Sequence, residues 1–430
     1  MKIFVILVIF MSMTCKLALG ASATDEKLRH YIKQFRFKAV EPMNDKNDQI
    51  YELGEKLFFD NRLSGNNNIS CATCHHPDLA SADALPLSIG EGAQGLGKER
   101  IVTDSLQIIP RNSPDLFNKG HEDITRLFWD GRVSFDPDTW EYETPEEALN
   151  GEAPQREDIT SVLDGALSAQ ALFPLLSHEE MRGKKGDNPI ADAKTNLEAW
   201  QLITEKILEN NEYKTLFAKA FNHPEQYNIG HIGRALAEFI RYRFQVTQTP
   251  WDKYIRGDDT AMTESQKLGA IVFVERGRCI LCHNGAHLTN ESFQNIAAPQ
   301  IGPGKDIFNN DEGRFLITGR AKDKYMFKVP PLRNVAKTAP YFHSGVYTTL
   351  EQVIEHYEKG VNALDDYDQM MINNLYRTNY VENLFVETNQ YRLFRKKEGA
   401  HPAMQARAIR LNPDERSYLL EFLKFGLTEN

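Results

Sequence analysis

Apolar residues follow a helical spacing in several segments of the chain. Segments 53–58 and 268–273 each place apolar residues at their first, fifth and sixth positions, and segment 232–244 is also amphipathic. Residues at this spacing share one face of an α-helix, which can pack against a flat apolar partner. The pattern therefore predicts a mostly α-helical protein whose two halves contain similar helices.

The N-terminus has the pattern of an export signal. Lys2 precedes an apolar run over residues 3–11, and small residues follow between 17 and 23. This combination predicts a signal peptide over residues 1–20 and a periplasmic location for the mature protein. The apolar run is too short to span a bilayer, and no other segment approaches eighteen consecutive apolar residues, so we expect no membrane span.

Length and composition are those of an ordinary globular protein. The chain has 430 residues, of which 41% are hydrophobic and 26% are charged, and its formal net charge is −10. Domains of roughly 100–200 residues are usual, so we expect two domains, over residues 21–248 and 249–430. No strong basic cluster indicates a nucleic-acid partner, whereas an acidic surface suits a basic redox partner protein.

Four of the five cysteines form two copies of one motif, Cys-x-x-Cys-His. The copies consist of Cys71, Cys74 and His75 and of Cys279, Cys282 and His283. This motif attaches c-type haem, because its thiols form thioethers and its histidine binds the iron. A disulfide redox site does not require the histidine, and a zinc site needs further ligands at matching spacing. The motifs predict two covalently bound haem c groups in two tandem cytochrome c-like domains.

Further motifs extend the repeat between the halves. They are Ser-Ile-Gly at 88–90, Arg-Asn-Ser-Pro at 111–114, Phe-Trp-Asp-Gly-Arg at 128–132, Phe-Lys-Val-Pro-Pro-Leu-Arg-Asn-Val at 327–335 and Thr-Ala-Pro-Tyr-Phe-His-Ser-Gly at 338–345. With the two haem motifs, they make the chain resemble the bacterial di-haem cytochrome c peroxidase and MauG family from about residue 50 onward. The resemblance implies an enzyme that activates hydrogen peroxide at the N-terminal haem and stores or relays electrons at the C-terminal haem.

The resemblance also implies the distal residues of the first haem. The family places a Gln, a Pro and a Glu on one segment, and this chain matches it in register at Gln170, Pro174 and Glu180. Glu180 is then the acid–base carboxylate that moves a proton between the peroxide oxygens. Gln170 donates a hydrogen bond, and Pro174 helps to close the pocket. The alternatives are His178 as the base, or Glu180 as a merely solvated carboxylate.

Glu91 departs from the pattern of many family members. They carry a removable distal histidine ligand in a Ser-Ile-Gly-His-Gly loop, whereas this chain has Glu91 at that position. A carboxylate is an uncommon ligand of haem iron, so we expect an open or water-filled distal position at the first haem. We expect Glu91 itself to be a solvated loop residue.

The sixth ligand of the second haem separates the branches of the family. It lies fourteen residues after the histidine of the Phe-His motif, His343 here, which leads to Tyr357. Peroxidases supplied by small cytochromes resemble this segment with Met, whereas MauG has Tyr. Thr349 and Gln352 fit a capping box, so we expect the ligand on a helix. The alternatives are His356, Met370 or Met371 as the ligand, or Tyr357 as a packed residue.

Two further features of the family lie between its haems. Trp129 matches an aromatic bridge that relays electrons or holes, although a lone Trp is more often a core residue. A calcium ion is implied, held by the Asn112 side chain and the carbonyls of Thr338 and Pro340. The remaining histidines, including His76, His121 and His287, are interpreted as surface or core residues.

Residues 133–165 depart from the family pattern as an insertion rich in Asp, Glu and Pro. We expect a surface excursion, beside the entrance or on a partner surface. Three functions remain open: a MauG-like peroxidase that oxidises a partner protein, a peroxidase that removes peroxide with electrons from a small cytochrome or cupredoxin, and a non-enzymatic electron-transfer cytochrome. The segment containing Gln170 and Glu180 argues against the last.

Overall fold

The computed structural model describes residues 22–102, 108–151, 155–222, 226–306, 308–370, 384–405 and 409–429. Within these ranges the protein is mostly helical, as predicted. The α-helices are Ala23–Gln34, Asp48–Phe59, Cys71–Cys74, Glu157–Thr160, Ala166–Gln170, Pro189–Asp192, Asn196–Leu208, Asn211–Phe221, Ile229–Arg243, Pro250–Ile255, Glu264–Val274, Phe315–Thr318, Leu350–Lys359, Ala363–Asp366, Gln390–Glu398 and Pro413–Glu421. The strands are Ala93–Gln94, Ile101–Val102, Arg126–Leu127, Val133–Asp136, Glu141–Glu143, Phe293–Gln294 and Phe327–Lys328.

The hydrophobic core contains two large clusters that follow the order of the chain. The first gathers buried residues between Ile50 and Phe244, and the second gathers mostly residues between Trp251 and Leu427. The change from one cluster to the other therefore falls close to the expected boundary at residue 248.

A close helix crossing organises the N-terminal half. Helix Asp48–Phe59 begins at Asn47, whose side chain accepts hydrogen bonds from two backbone N–H groups of the first turn. The helix packs against Ile229–Arg243, and a Cβ atom at Gly54 would lie 1.9 Å from a backbone oxygen of that partner. Only glycine permits two backbones to approach so closely.

The C-terminal half repeats this crossing. Helix Glu264–Val274 packs against Pro413–Glu421, and a Cβ atom at Gly269 would lie 2.0 Å from a backbone oxygen of that partner. The repeated Leu-Gly segments seen in the sequence thus build the same contact twice. In each half, the helix that carries the glycine precedes the Cys-x-x-Cys-His motif, and its partner helix follows the motif.

The N-terminal helix packs against the half to which it is not connected. Leu28 of helix Ala23–Gln34 and Phe37, just beyond it, belong to the C-terminal core cluster. Asp25 forms a buried ion pair with Lys267 at 2.7 Å. By its contacts, this segment therefore belongs with the C-terminal half, although the expected boundary grouped it with residues up to 248.

The insertion at 133–165 does not form the expected surface excursion. Strands Arg126–Leu127, Val133–Asp136 and Glu141–Glu143 form an antiparallel sheet. Side chains of the insertion enter the N-terminal core, namely Val133, Phe135, Tyr142, Leu149, Ile159 and Leu163. Alternate residues of a strand point to opposite faces, so even an acidic segment can supply one apolar face.

In the described part of the chain, no helix is long and apolar enough to cross a membrane. The segment expected to be a signal peptide, 1–20, lies outside the described residues. Export to the periplasm therefore stays a prediction.

Candidate active site

Among the described residues, a cavity lies at each Cys-x-x-Cys-His motif. The two cavities enclose about 1330 Å³ and 1680 Å³ of space free of protein atoms, including the parts open to solvent. Both cavities are lined by the cysteines and histidine of their motif, and most of the accessible lining is apolar.

Each motif histidine is oriented through its Nδ1 atom. His75 Nδ1 lies 3.1 Å from the carbonyl oxygen of Ser81 and 3.3 Å from Ser113 Oγ. His283 Nδ1 lies 2.9 Å from the carbonyl oxygen of Leu288. A carbonyl partner fixes the proton on Nδ1 and leaves Nε2 as the ligand atom. Burial lowers the pKa of His283 to about 4, which favours the neutral imidazole that binds iron.

The motif thiols fit attachment rather than catalysis. Burial raises the pKa of Cys71 and of Cys279 to about 12. A reactive cysteine needs a lowered pKa, because the thiolate is the nucleophile. The donor set in each cavity, two thiols and one oriented imidazole, therefore fits a covalently bound haem.

The segment predicted to form the distal side does line the first cavity. Helix Ala166–Gln170 brings Gln170 to the cavity, and Pro174 and Glu180 follow on the same wall. Glu180 lies in a short π-helical turn, His178–Arg182. Burial raises the pKa of the Glu180 carboxyl, and the positive charges of Arg132 and Lys305 only partly oppose this.

The alternative base, His178, is turned away from the first cavity. It is exposed and does not line the cavity. Its Nδ1 atom lies 2.6 Å from the carbonyl oxygen of Gly183. The geometry thus favours Glu180 over His178 as the group that faces a cavity ligand.

Glu91 is not the solvated loop residue that we expected. Its side chain is 4% exposed, and its Oε2 atom accepts hydrogen bonds from Asn66 at 3.1 Å and Asn68 at 2.9 Å. Its loop packs directly on the distal segment, since a Cβ atom at Gly90 would lie 1.7 Å from the Glu179 carbonyl oxygen. These two asparagine amides solvate the carboxylate in place of water, and neither asparagine is close to Glu91 in the sequence. Glu91 does not line the first cavity.

Tyr357 lines the second cavity. Helix Leu350–Lys359 begins with the predicted capping box of Thr349 and Gln352, which is confirmed. Tyr357 is on the cavity side of this helix, together with Ile354. Burial raises the pKa of the Tyr357 phenol well above its ordinary value.

The alternative ligands of the second haem are placed differently. His356 is buried with both ring nitrogens in contacts: Nδ1 lies 3.0 Å from Tyr347 Oη and Nε2 lies 2.8 Å from the Ile296 carbonyl oxygen. It does not line the cavity. Met370 is 70% exposed, and Met371 lies outside the described residues.

Comparison with known proteins agrees with this geometry. Residues 48–260 match the family model described as di-haem cytochrome c peroxidase. The chain is 31% identical over 308 residues to cytochrome c551 peroxidase of Pseudomonas aeruginosa, covering 71% of each chain. It is 28% identical over 352 residues to the methylamine utilization protein MauG of Methylorubrum extorquens, covering 81% of this chain and 80% of that one.

The chain belongs to the di-haem cytochrome c peroxidase family. It is accordingly a peroxidase that acts on hydrogen peroxide and carries two covalently bound haem c groups. The fold is also similar to the crystal structure of a MauG-like protein associated with microbial copper homeostasis. That likeness has a TM-score of 0.59 at 23% identity and covers 92% of this chain and 94% of that one.

In this family member, the residues expected between the haems lie between the cavities. Trp129 lines both cavities, and its Nε1 atom donates a hydrogen bond to the Asn112 carbonyl oxygen at 2.9 Å. Asn112 also lines both cavities, and Thr338 and Pro340 line the second. The three residues expected to bind calcium thus share the second cavity, and their roles stay predictions.

One residue that lines the first cavity was not found from the sequence. Lys305 belongs to the C-terminal half, yet it lines the first cavity. Burial lowers its pKa, and the nearby Arg132 lowers it further. No local pattern marks this lysine, because its partners are more than a hundred residues away in the chain.

A buried ion network joins the two halves beside the first cavity. Arg111 binds Asp311 through two hydrogen bonds of 2.7 and 2.8 Å and binds Asp130 at 2.5 Å. Arg132 adds a contact to Asp130 at 3.1 Å. Burial alone would raise the pKa of Asp311, but Arg111 outweighs burial and lowers it to about 2. The network fixes the C-terminal half against the cavity of the N-terminal half.

Proposed function

We propose that this peroxidase belongs to the MauG-like branch, in which the C-terminal haem is ligated by tyrosine and a partner protein is oxidised. The observation that carries the proposal is the position of Tyr357 on the cavity wall while His356 faces away. The two halves then act as tandem haem domains, divided near residue 248. The predicted export signal would deliver the enzyme to the periplasm.

At the first cavity, the protein's own residues manage protons. When bound, the haem held by His75 supplies a redox-active iron that binds and reduces peroxide. Glu180 acts as a general acid–base group: it accepts a proton from one peroxide oxygen and returns it to the other. Gln170 donates a hydrogen bond to the bound peroxide, and Pro174 restricts the pocket.

At the second cavity, the type of residue that ligates the haem iron would set the oxidation state in which the iron is most stable. A thioether ligand raises the reduction potential and favours ferrous iron, whereas a phenolate stabilises ferric and higher states. Tyr357 therefore suits a haem that holds oxidising equivalents rather than one that waits in the reduced state. Trp129 supplies an aromatic path between the cavities, and Asn112, Thr338 and Pro340 would hold calcium beside it.

Low-temperature EPR of the oxidised holoenzyme tests the proposal. We expect one high-spin and one low-spin ferric signal, because the first haem has an open distal position and the second is ligated by Tyr357. The Tyr357→Phe variant should convert the low-spin signal to high spin, whereas Tyr391→Phe, at a tyrosine 71% exposed, should leave both signals unchanged. Two low-spin signals, or a Tyr357→Phe spectrum like that of the wild type, would refute it.

The similarity to cytochrome c551 peroxidase supports a second candidate function. In this alternative, a small cytochrome or cupredoxin supplies the electrons and peroxide removal is the outcome. Steady-state assays with reduced small cytochromes distinguish the two. Slow turnover together with peroxide-dependent oxidation of a partner protein supports the MauG-like function, and fast turnover without protein oxidation supports the alternative.

A further inference from the structure

Three potential metal ligands meet between the two halves, outside both cavities. His121, Asp123 and His287 each offer one ligand atom, and these atoms all lie within 4.8 Å of one another. His121 Nδ1 is 3.7 Å and His287 Nε2 is 3.9 Å from Asp123 Oδ2. His121 Nδ1 also accepts a hydrogen bond of 3.3 Å from the Asp123 N–H, which a bound metal would replace. Among the described residues, this is the one group of His, Cys, Asp and Glu with such an arrangement.

His287 is the residue that the surrounding protein leaves unexplained. It is 2% exposed, and neither of its ring nitrogens has a hydrogen-bond partner. Buried polar groups are almost always hydrogen-bonded, and an exception calls for a ligand or an ion. The backbone that carries the ring is held in place by its own hydrogen bonds. Leu332 N–H donates to its carbonyl oxygen at 3.2 Å, and the next carbonyl, of Leu288, orients His283.

We propose that His121, Asp123 and His287 bind a divalent transition-metal cation of the zinc type. Imidazole nitrogen and carboxylate oxygen are the ligands such ions prefer, at roughly 2.0–2.2 Å from the metal. Tetrahedral ligands at that distance lie roughly 3.3–3.6 Å apart. The two spacings to Asp123 therefore need to close by only a few tenths of an ångström, and the two imidazole nitrogens approach each other from within 4.8 Å.

The two histidines already face each other, and the aspartate can move. The rings of His121 and His287 are 4.5 Å apart between centroids, in an edge-to-face arrangement. The Asp123 side chain is 61% exposed, which leaves it free to adjust and gives an ion access from solvent. Water can supply the fourth ligand on this open side.

The charges around His287 do not exclude a cation. Three positive side chains act on it, and each is neutralised by its own carboxylate. The pairs are Lys119 with Asp115 at 3.8 Å, Lys328 with Glu291, and Arg333 with Asp252 at 2.7 Å. Asp123 is therefore available to compensate the metal charge.

The proposed ion would join the two halves. His121 and Asp123 follow a segment of the N-terminal half that lines the first cavity, whereas His287 follows the haem motif of the C-terminal half by four residues. Binding would therefore stabilise the contact between the halves, and mass action then raises the melting temperature of the folded protein.

The experiment uses the holoenzyme, dialysed against chelator and then against calcium so that the proposed calcium site stays filled. Zn²⁺ binding is measured by equilibrium dialysis with metal analysis, and the melting temperature is followed in parallel. We expect one Zn²⁺ per chain, a rise in melting temperature, and affinity at least ~10-fold weaker in His121→Ala and Asp123→Asn. His30→Ala, at an exposed histidine of the N-terminal helix, is the matched control and should bind like the wild type.

His121→Ala and Asp123→Asn are preferred to a change at His287, because the latter is buried in the core and its loss alone could prevent folding. Circular dichroism and haem absorbance confirm that both variants fold. Absence of stoichiometric Zn²⁺ uptake by the wild type would overturn the proposal. Uptake with unchanged affinity in both variants would overturn it as well, since the ion would then lie elsewhere.

Discussion

The two cavities share one side and differ on the other. On the proximal side, each has a Cys-x-x-Cys-His motif, a histidine held by a backbone carbonyl, and a preceding helix crossed at a glycine. On the distal side, the first cavity carries Glu180 with Arg132 and Lys305 nearby, whereas the second presents Tyr357 among apolar residues.

This difference shows where the chemistry is decided. The duplicated side attaches and orients a haem in the same way in both halves, so it cannot by itself distinguish their roles. The residues proposed to move protons line the first cavity, and the candidate axial ligand lines the second. Changes on the distal side should therefore affect one cavity, and changes on the duplicated side should affect both alike.

Among the variants considered, Glu180→Gln should have the largest effect. It removes the carboxylate that distinguishes the first cavity from the second. The substitution keeps the shape of a buried side chain but removes the base, so we expect the rate of reaction with peroxide to fall by ~10²–10⁴-fold. Stopped-flow mixing of the oxidised enzyme with peroxide measures this rate. Glu179→Gln, at the exposed neighbouring carboxylate, is the control and should react like the wild type.

In the proposed function, Glu180 should also set the acid limit of activity. Burial raises the pKa of Glu180 above its ordinary value, and only the ionised carboxylate can accept a proton. Activity should therefore be complete above the raised pKa and fall as the pH drops through it. The residual rate of Glu180→Gln should not show this acid limb, and an acid limb that persisted in the variant would assign it to another group.

Asp311→Asn tests the contact that places Lys305 at the first cavity. The substitution removes the carboxylate that accepts two of the buried hydrogen bonds of Arg111 and leaves Asp130 as its other charged partner, so we expect a loss of about 3 kcal/mol in the free energy of unfolding. In the wild type, the folded pKa of Asp311 is lowered from 3.8 to about 2. Its contribution is therefore present above pH 3.8 and is lost as the pH falls toward 2, and the variant should lack this loss.

Urea unfolding of the holoenzyme at several pH values measures both effects. The matched control is Asp259→Asn, an exposed aspartate paired with Arg29. Exposed pairs contribute ~0–1 kcal/mol, so this control should change little. Equal losses for the two variants would show that the Arg111 network does not stabilise the contact between the halves.

Gly54→Ala and Gly269→Ala test whether the two helix crossings contribute equally to the stability of their halves. At each position an added Cβ would meet a backbone oxygen at 2.0 Å or less, so the helices must separate. Overpacking of this kind costs about 1–3 kcal/mol, and we expect similar losses from both variants. Gly399→Ala is the control, because its nearest contact would be an ordinary 3.4 Å. A loss at only one of the two crossings would contradict their equivalence.

Thr349→Ala should have the smallest effect and should be confined to the second cavity. It removes the capping box of the helix that carries Tyr357, at a cost of about 1 kcal/mol. Hydrogen exchange of the helix amides measures the local change. Faster exchange there, with an unchanged rate of peroxide reaction at the first cavity, is the expected result. A slower peroxide reaction would show that the two cavities are more tightly coupled.

The sequence predicted features whose determinants lie close together in the chain. The haem motifs, the helices of the repeat and the capping box of Thr349 and Gln352 depend on residues within a few positions of each other. Segment matching also placed Gln170, Pro174 and Glu180 on one wall.

The predictions that were wrong or incomplete depend on distant partners. Glu91 can be buried because Asn66 and Asn68 donate hydrogen bonds to its carboxylate. The residues next to Glu91 in the sequence do not predict these contacts. His287 is a core residue, as expected, but its position beside His121 across the contact between the halves could not be predicted from the sequence. The insertion supplies core residues because its acidic positions alternate with apolar ones.

The docking of the N-terminal helix onto the far half has a consequence for the order of folding. Asp25 accepts a hydrogen bond from Tyr254, which is 229 positions later in the chain. During synthesis, this helix has no docking surface until more than half of the polypeptide has followed it. The N-terminal half can therefore collapse around its own core while its leading segment waits, and docking of that segment marks a late stage in maturation.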